Sequence, residues 1–247
     1  MALIYSVGRL LGFQGASSRV GYMKPIGQKW IPVRGPSGAP MRVDKDVVVA
    51  RDHFNMRLDF ADMSPVVVGR GETKKFLDGR KAEWEDRALG QTIQSAFRRI
   101  SGACDFTVVE GTGHCGVGSV IGWNNARVAK ALGIEVVLVA NGGVGATFDQ
   151  LNLNRIACEM EGVKVAGVII NKVRQEEVET VRAYLEKAIQ RFGWGVPVLG
   201  CIPYGENLDQ PSAMDLETLF ETRLIGGAHQ KMRRFENYEL VTTSLDR

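Results

Sequence analysis

The sequence of 247 residues predicts an α/β fold, in which helices cover both faces of a doubly wound, mainly parallel sheet. Two observations indicate this fold class. Five short apolar runs rich in Val and Ile recur along the chain, and each is bounded by Gly, Asn or Pro. Segments with helical periodicity lie between these runs, as the right-handed crossovers between parallel strands require.

The five apolar runs are predicted to be buried strands. Their continuous rather than alternating hydrophobicity is typical of strands that are covered on both faces. In chain order the runs are RVGYMKPI (19–26), DFTVVEG (105–111), EVVLVAN (135–141), VAGVIIN (165–171) and VPVLGCIP (196–203).

Two longer segments are predicted to be amphipathic helices, because apolar residues recur in them every three or four positions. The first segment is EDRALGQTIQSAFRRI (85–100) and the second is QEEVETVRAYLEKAIQRFG (175–193). The repeating residues are Leu89, Ile93, Phe97 and Ile100 in the first segment, and Val178, Val181, Leu185 and Ile189 in the second.

The segment 31–80 differs from the rest because it is rich in Pro, Gly and charge. We expect a short helix that begins near Asp44, followed by an irregular insertion at an active site or interface. This insertion is expected to lie within one α/β domain that covers residues 1–210. Residues 211–247 are expected to be a C-terminal extension or the start of a following domain.

Composition excludes several classes of function. With 31 basic and 28 acidic residues, the net charge of +3 gives no general reason to bind nucleic acid or an anionic membrane. No apolar run reaches the roughly 20 residues that a membrane span needs. The four cysteines include no CxxC pair, which argues against a zinc site or a disulfide scaffold and indicates reduced thiols.

The N-terminal region allows two interpretations. It has no acidic residue before Asp44, as in an organelle presequence, but Leu3, Val7, Leu10 and Leu11 follow a helical period. A folded helix is favoured over a cleaved leader. The expected location is the cytoplasm or an organelle matrix, in a mitochondrion or plastid.

Ligands of doubly wound sheets bind beyond the carboxyl ends of the strands, so the residues that end each run are candidates for function. Asn141 and Gly142 end the third run, and ordinary turn preferences explain Gly142. They do not explain Lys24 or Glu110, because an ionised group at the end of an apolar strand must be paired or solvated. We therefore predict functional roles for Lys24 and Glu110.

Six motifs in order resemble the dethiobiotin synthetase-like P-loop family. They are GYMKPIGQ, the acid pair in VDKDV, VVEGTGHCGVGS, VVLVANGGVGATFDQL, GVIINKV and LGCIPY. The resemblance covers roughly Val20 to Tyr204. It is closest to the N-terminal domain that precedes a DRTGG domain in phosphotransacetylase-family proteins.

The resemblance implies a site for Mg²⁺ and ATP. Lys24 matches a lysine that reaches the transferring phosphate or a substrate carboxylate, and a compact ammonium with three donors suits this role. Asp46, or alternatively Asp44, matches a carboxylate that contacts Mg²⁺, and Glu110 matches another. Magnesium favours one or two carboxylates together with water and phosphate oxygens.

The resemblance also implies residues that bind the nucleotide. Gly111, Thr112 and Gly113 would let the backbone approach phosphate or substrate closely. An amide that reads the adenine base matches Asn171, and a loop that packs against this base matches Ile202 and Pro203.

The chain lacks the GxxxxGK[ST] motif that cradles phosphates in P-loop proteins. The family's spacing places the motif's lysine at about Ala2, so we expect the first strand and the P-loop to lie before Met1. The tail from Leu216 resembles a linker to a further domain, so both ends are expected to be cut. Losing three charge-assisted hydrogen bonds removes about 5 kcal/mol, which turns micromolar ATP binding into millimolar.

Three functions remain open. The first is a nucleotide-binding domain with a regulatory or structural role, and the second is an ATP-dependent carboxylate or carbamate ligase. The third is a non-catalytic subunit of a larger assembly. An active enzyme would be such a ligase or part of a phosphate acetyltransferase-family protein. The expected partners are a small-molecule or nucleotide ligand and a homo-oligomer or larger assembly, without nucleic acid and without a membrane span.

Overall fold

The structure is a computed structural model that describes residues 20–35, 38–81, 86–205 and 210–235. The expected N-terminal helix and the alternative leader lie outside these ranges. Predictions about the N-terminal helix therefore stay predictions.

All five predicted strands are confirmed within the described ranges. They correspond to β1, β6, β7, β8 and β9. The strands are β1 (Val20–Met23), β2 (Ile26–Gly27), β3 (Trp30–Arg34), β4 (Pro40–Asp44), β5 (Val66–Val67), β6 (Phe106–Val109), β7 (Val136–Asn141), β8 (Val165–Val173) and β9 (Val198–Pro203).

The two predicted amphipathic helices are also confirmed, as α4 and α7. The α-helices are α1 (Lys45–His53), α2 (Phe60–Met63), α3 (Glu72–Leu77), α4 (Asp86–Ala103), α5 (Asn125–Leu132), α6 (Gly145–Met160), α7 (Val178–Arg191) and α8 (Ala213–Leu219). Short 3-10 helices cover Ser119–Ile121, Gln175–Glu177 and Ala228–Gln230. No helix in the described part of the chain has the length and hydropathy that crossing a bilayer demands.

Strand pairing confirms the α/β class with parallel sheets. Strand β1 pairs in parallel with β6, with Val20 opposite Phe106 and Met23 opposite Val109. Strands β7, β8 and β9 form a second parallel sheet in that order. Strands β2 and β5 form a short parallel pair, and β3 and β4 form an antiparallel pair.

Two hydrophobic cores stabilise these sheets. The first core packs β1 against α1 and α4, and it buries Met23, Val47 and Ile93 completely. The second core packs β7, β8 and β9 against α6 and α7. Helix α5 joins the two cores, because Val128 belongs to the first and Ala129 to the second.

The segment 31–80 is more regular than the sequence indicated. The short helix near Asp44 is confirmed as α1, and the rest of the segment is less irregular than expected, while its role as an insertion stays a prediction. The segment contains β4, β5 and three helices, and Val43, Val47 and Met63 are fully buried in the first core. Its Gly and Pro residues mark turns between short elements, and its apolar residues complete the core beside β1.

Candidate functional site

Lys24 directly follows β1 and is almost completely buried, with 6% of its surface exposed. Its backbone N–H donates to the carbonyl of Met63 at 2.8 Å, which fixes the residue beside α2. Its Nζ lies 3.2 Å from Asp44 Oδ1 and 3.6 Å from Glu110 Oε1, and it donates a hydrogen bond to Asp46 Oδ2. A buried ammonium requires such partners, so three carboxylates surround this one.

Asp44 fixes the start of α1, the helix that contains Asp46. It ends β4 and caps the N-terminus of α1, because its Oδ1 accepts from the Asp46 N–H at 3.0 Å. Its Oδ2 accepts from the Gln28 N–H at 3.0 Å, and its own N–H donates to Ser64 Oγ at 3.0 Å. Asp44 is only 1% exposed. The sequence VDKD therefore ends a strand, begins a helix and brings both aspartates to Lys24.

Glu110 reaches the cluster from the end of β6. Its N–H donates to the Met23 carbonyl at 2.8 Å, which extends the pairing of β1 with β6 by one residue. Its Oε2 accepts a hydrogen bond from the Tyr22 hydroxyl at 2.6 Å. Tyr22 was not identified from the sequence, although its position two residues before Lys24 puts both side chains on one face of the strand.

Burial and charge shift the pKa values of two groups in this cluster. Burial lowers the pKa of Lys24, but the hydrogen bond to Asp46 and the charges of Glu110 and Asp44 outweigh it, so the net pKa is raised. Burial and then the Glu110 carboxylate raise the pKa of Tyr22. Lys24 is therefore a cation and Tyr22 a neutral hydrogen-bond donor at neutral pH. One ammonium and three carboxylate side chains give the cluster a formal charge of −2.

Side chains of the loop itself and of helix α5 attach the loop after β6 to the rest of the molecule. Thr112 Oγ1 donates to the Ile26 carbonyl at 2.7 Å. Asn125, at the start of α5, donates from Nδ2 to the Thr112 carbonyl at 2.9 Å and to the His114 carbonyl at 2.8 Å. Asn125 is a second residue that the sequence did not identify. These contacts fix the loop that begins with Glu110.

Gly111 and Gly113 of this loop are required for structural reasons. A Cβ on Gly111 would lie 2.8 Å from Asn125 Cγ, which is closer than real Cβ contacts. Gly113 has φ of 66°, in the left-handed region that glycine adopts without strain. The nucleotide-binding roles of Gly111, Thr112 and Gly113 stay predictions.

The residues expected to contact adenine form a separate group in the second sheet. Asn171 lies near the end of β8, and Ile202 and Pro203 end β9, where Pro203 is opposite Val173. Ile202 is 43% exposed. The structure thus brings Asn171, Ile202 and Pro203 to neighbouring strand ends, while Lys24 and Glu110 lie in the sheet of β1 and β6.

The carboxylates differ in their ability to reach a metal ion. The side chains of Asp46 and Glu110 are 40% and 43% exposed, whereas both oxygens of buried Asp44 accept backbone hydrogen bonds. Asp46 is therefore better placed than Asp44 for a metal. Among the residues that the structure describes, no three or more His, Cys, Asp or Glu side chains are grouped to hold a metal ion. Two protein carboxylates nevertheless fit Mg²⁺, which usually keeps several waters.

Comparison with known proteins identifies the family. The model of the AAA_26 family, described as an AAA domain, matches residues 7–212. Phosphate acetyltransferase of Synechocystis sp. is 26% identical over 216 residues, which are 86% of this chain and 29% of that protein. Phosphate acetyltransferase of Pseudomonas putida is 27% identical over 241 residues, which are 93% of this chain and 31% of that protein.

A relative with a different name matches a shorter region. Cobyric acid synthase of Clostridium perfringens is 31% identical over 143 residues, which are 56% of this chain and 28% of that protein. The chain therefore spans about a third of the length of these relatives.

Proposed function

Because the chain belongs to the AAA_26 family of dethiobiotin synthetase-like P-loop NTPase domains, we propose that it binds a magnesium–nucleotide complex in a regulatory or structural role. The observation that carries this proposal is the cluster of Lys24, Asp46 and Glu110. Two of these residues follow paired parallel strands and the third opens a helix capped beside them. Residues at this edge of a parallel sheet are where ligands bind.

The charge of the cluster supports binding of the metal together with the nucleotide. Together with Asp44 the cluster has a formal charge of −2, which repels a free triphosphate because the triphosphate is itself an anion. Mg²⁺ held by the exposed carboxylates of Asp46 and Glu110 would neutralise charge on the phosphate oxygens. Lys24 would then donate to these oxygens instead of to Asp46, its hydrogen-bonded partner in the structure. We therefore propose that nucleotide binding depends on Mg²⁺.

The proposed role is regulatory or structural because the 247 residues contain no GxxxxGK[ST] motif. Phosphoryl transfer relies on a γ-phosphate that is positioned by such a loop and its lysine. Without these contacts we expect a dissociation constant of about 1 mM. Asn171 and Pro203, at the ends of β8 and β9, are the residues proposed to contact the adenine base.

Calorimetry with ATP tests this proposal. The full chain is titrated with ATP in excess Mg²⁺ and again in EDTA, and binding is expected only with Mg²⁺. Lys24→Met should weaken it at least tenfold, because one charge-assisted hydrogen bond contributes about 1.5–3 kcal/mol. Lys164→Ala is the matched control, since Lys164 precedes β8 at the opposite end and pairs with Glu135 in an exposed ion pair. If no saturable binding is detected up to about 10 mM ATP, the proposal is contradicted.

We propose an ATP-dependent carboxylate or carbamate ligase as a second candidate function, because a cavity lies beside the loop that follows Glu110. This cavity has a volume of about 50 Å³ and is lined by Ile26, Gln28, Val68, Thr112 and Asn125, among others. It has room for one or two small groups of a substrate beside Thr112. ADP release that requires a diamine and bicarbonate, and that Lys24→Met abolishes, supports this function. Release that is independent of both substrates counts against it.

A further inference from the structure

Two buried thiols outside the charged cluster meet in the second core. The sulfur atoms of Cys115 and Cys158 lie 3.6 Å apart, although 43 residues separate them in the sequence. Both are free thiols, and they are 8% and 0% exposed. Cys115 belongs to the loop after β6, and Cys158 belongs to α6. The contact therefore joins a loop of the candidate site to a helix of the core.

Hydrogen bonds on both sides of Cys115 hold the two thiols together. The Cys115 N–H donates to Asn154 Oδ1 at 2.7 Å. Asn154 lies four residues before Cys158 on α6, so both residues are on one face of that helix. In the same peptide group, the His114 carbonyl accepts from Asn125 Nδ2 at 2.8 Å. On the other side of Cys115, its own carbonyl accepts from the Ala126 N–H at 3.4 Å. The backbone around Cys115 is thus fixed against α5 and α6.

We propose that Cys115 and Cys158 form a reversible disulfide that attaches the loop 110–118 to α6. The sulfur atoms need to approach by only about 1.5 Å to reach the length of a disulfide bond. Because this loop begins with Glu110, the oxidation state of the thiols changes the restraints on a residue of the charged cluster. The site is a modification site for a peroxide-type oxidant.

The chemistry of the pair assigns different roles to the two sulfurs. The hydrogen bond with Cys115 lowers the pKa of Cys158, although burial opposes this effect, so we assign the attacking thiolate to Cys158. Its sulfur attacks one oxygen of hydrogen peroxide, the O–O bond breaks, and the other oxygen leaves as water after gaining a proton. Cys158 becomes a sulfenic acid. The Cys115 sulfur then attacks the Cys158 sulfur and displaces the hydroxyl as a second water.

The remaining cysteines of the chain provide matched controls. Cys104 follows α4, Cys201 lies in β9, and both are more exposed than the proposed pair. Burial raises the pKa of both thiols, which keeps them protonated at neutral pH. Oxidation at low peroxide concentration should therefore begin at Cys158, because its pKa is lowered while the pKa values of Cys104, Cys115 and Cys201 are raised.

The test is peptide mapping of the full chain after oxidation. The reduced protein is treated with hydrogen peroxide, remaining thiols are alkylated with iodoacetamide, and peptides are analysed by mass spectrometry. We expect two of the four thiols to escape alkylation in one cross-linked peptide pair that contains Cys115 and Cys158. Dithiothreitol should restore both thiols. Cys115→Ser and Cys158→Ser should abolish the cross-link, while Cys104→Ser and Cys201→Ser should retain it.

Thermal unfolding of the protein without substitutions provides a second measurement. A disulfide that closes a loop of this length should raise the Tm by roughly 5 °C, and reduction should reverse the shift. Four alkylated thiols after oxidation, or a cross-link through Cys104 or Cys201, overturn the proposal. Oxidation of Cys158 to a sulfinic acid without a cross-link overturns it as well. Even if a serine variant unfolds, peptide mapping of the protein with all four cysteines shows whether the Cys115–Cys158 cross-link forms.

Discussion

Lys24 Nζ lies 3.6 Å from Glu110 Oε1, although 86 positions separate the two residues in the chain. The ion pair follows from the parallel pairing of β1 with β6, in which Met23 is opposite Val109. A shift of one residue in this register would turn one side chain to the other face of the sheet. The cluster therefore depends on the strand register as much as on the identity of its residues.

Replacement of Lys24 by methionine should destabilise the protein. Methionine keeps the apolar volume but leaves buried Asp44 without its cation, and we expect a loss of about 3 kcal/mol in unfolding free energy. Urea unfolding followed by circular dichroism measures this loss. Lys164→Ala, in an exposed ion pair, should cost less than about 1 kcal/mol. Equal effects of the two variants would contradict a stabilising cluster around Lys24.

Asp44→Ala should cost more stability than removal of an exposed helix cap. Asp44 caps α1 and also accepts from the Gln28 N–H, and it is buried beside Lys24. Asp59 caps α2 through the Ala61 N–H at 2.9 Å in an exposed position. We expect Asp59→Ala to cost about 1 kcal/mol and Asp44→Ala at least about 2 kcal/mol in urea unfolding. Indistinguishable unfolding midpoints would argue against this role of Asp44.

Stability should fall in alkaline solution. The pKa of Tyr22 is raised above its ordinary value of 10.0, and that of Lys24 is raised above 10.5. Above about pH 10 the unfolded chain loses protons that the native state retains, so stability present below this pH is progressively lost. Tyr22→Phe should make the loss between pH 10 and 11 shallower in urea unfolding, whereas Tyr184→Phe, at an exposed tyrosine, should not. If the unfolding free energies of the Tyr22→Phe and Tyr184→Phe variants changed in the same way with pH, the raised pKa of Tyr22 would be contradicted.

Stability should also fall in acid, because the Glu72 carboxylate becomes protonated there. Hydrogen bonds from Lys81 and Lys75 lower the pKa of Glu72 from 4.5 to about 2. The carboxylate therefore stabilises the native state above about pH 4.5, and this stability is lost as the pH falls towards 2. Glu72→Gln should flatten the decrease in Tm between pH 5 and 3. The exposed Glu179→Gln should leave it unchanged, and a Glu72→Gln profile with the original slope would count against this assignment.

The parts of the fold that follow local rules were predictable from the sequence. Apolar runs of Val and Ile located all five main strands, and the period of Leu89 and Ile93 located α4. The meeting of Lys24 and Glu110 was predictable because parallel strands end at one edge of a sheet. The hairpin of β3 and β4 was missed, since the Pro and Gly residues around it are also typical of loops.

Side-chain contacts between distant residues were not predictable. Tyr22 looks like any core residue of a strand, and only the position of Glu110 shows that its hydroxyl donates a hydrogen bond. Asn125 is the first residue of α5, directly after the helix cap Asn124, yet its amide holds the loop that follows β6. The contact of Cys115 with Cys158 depends on the packing of that loop on α6, which no local pattern encodes.

The most direct test of the proposed site is an NMR titration of ¹⁵N-labelled protein with magnesium ATP. We predict saturable shifts of the Lys24, Asp46 and Gly111 to Gly113 amide signals, with the Lys164 signal unchanged and the shifts removed by EDTA. Asp52→Asn, on the exposed side of α1, should retain the shifts, whereas Asp46→Asn should weaken them. Shifts confined to other regions, or none at millimolar magnesium ATP, would contradict a nucleotide site at Lys24 and Glu110.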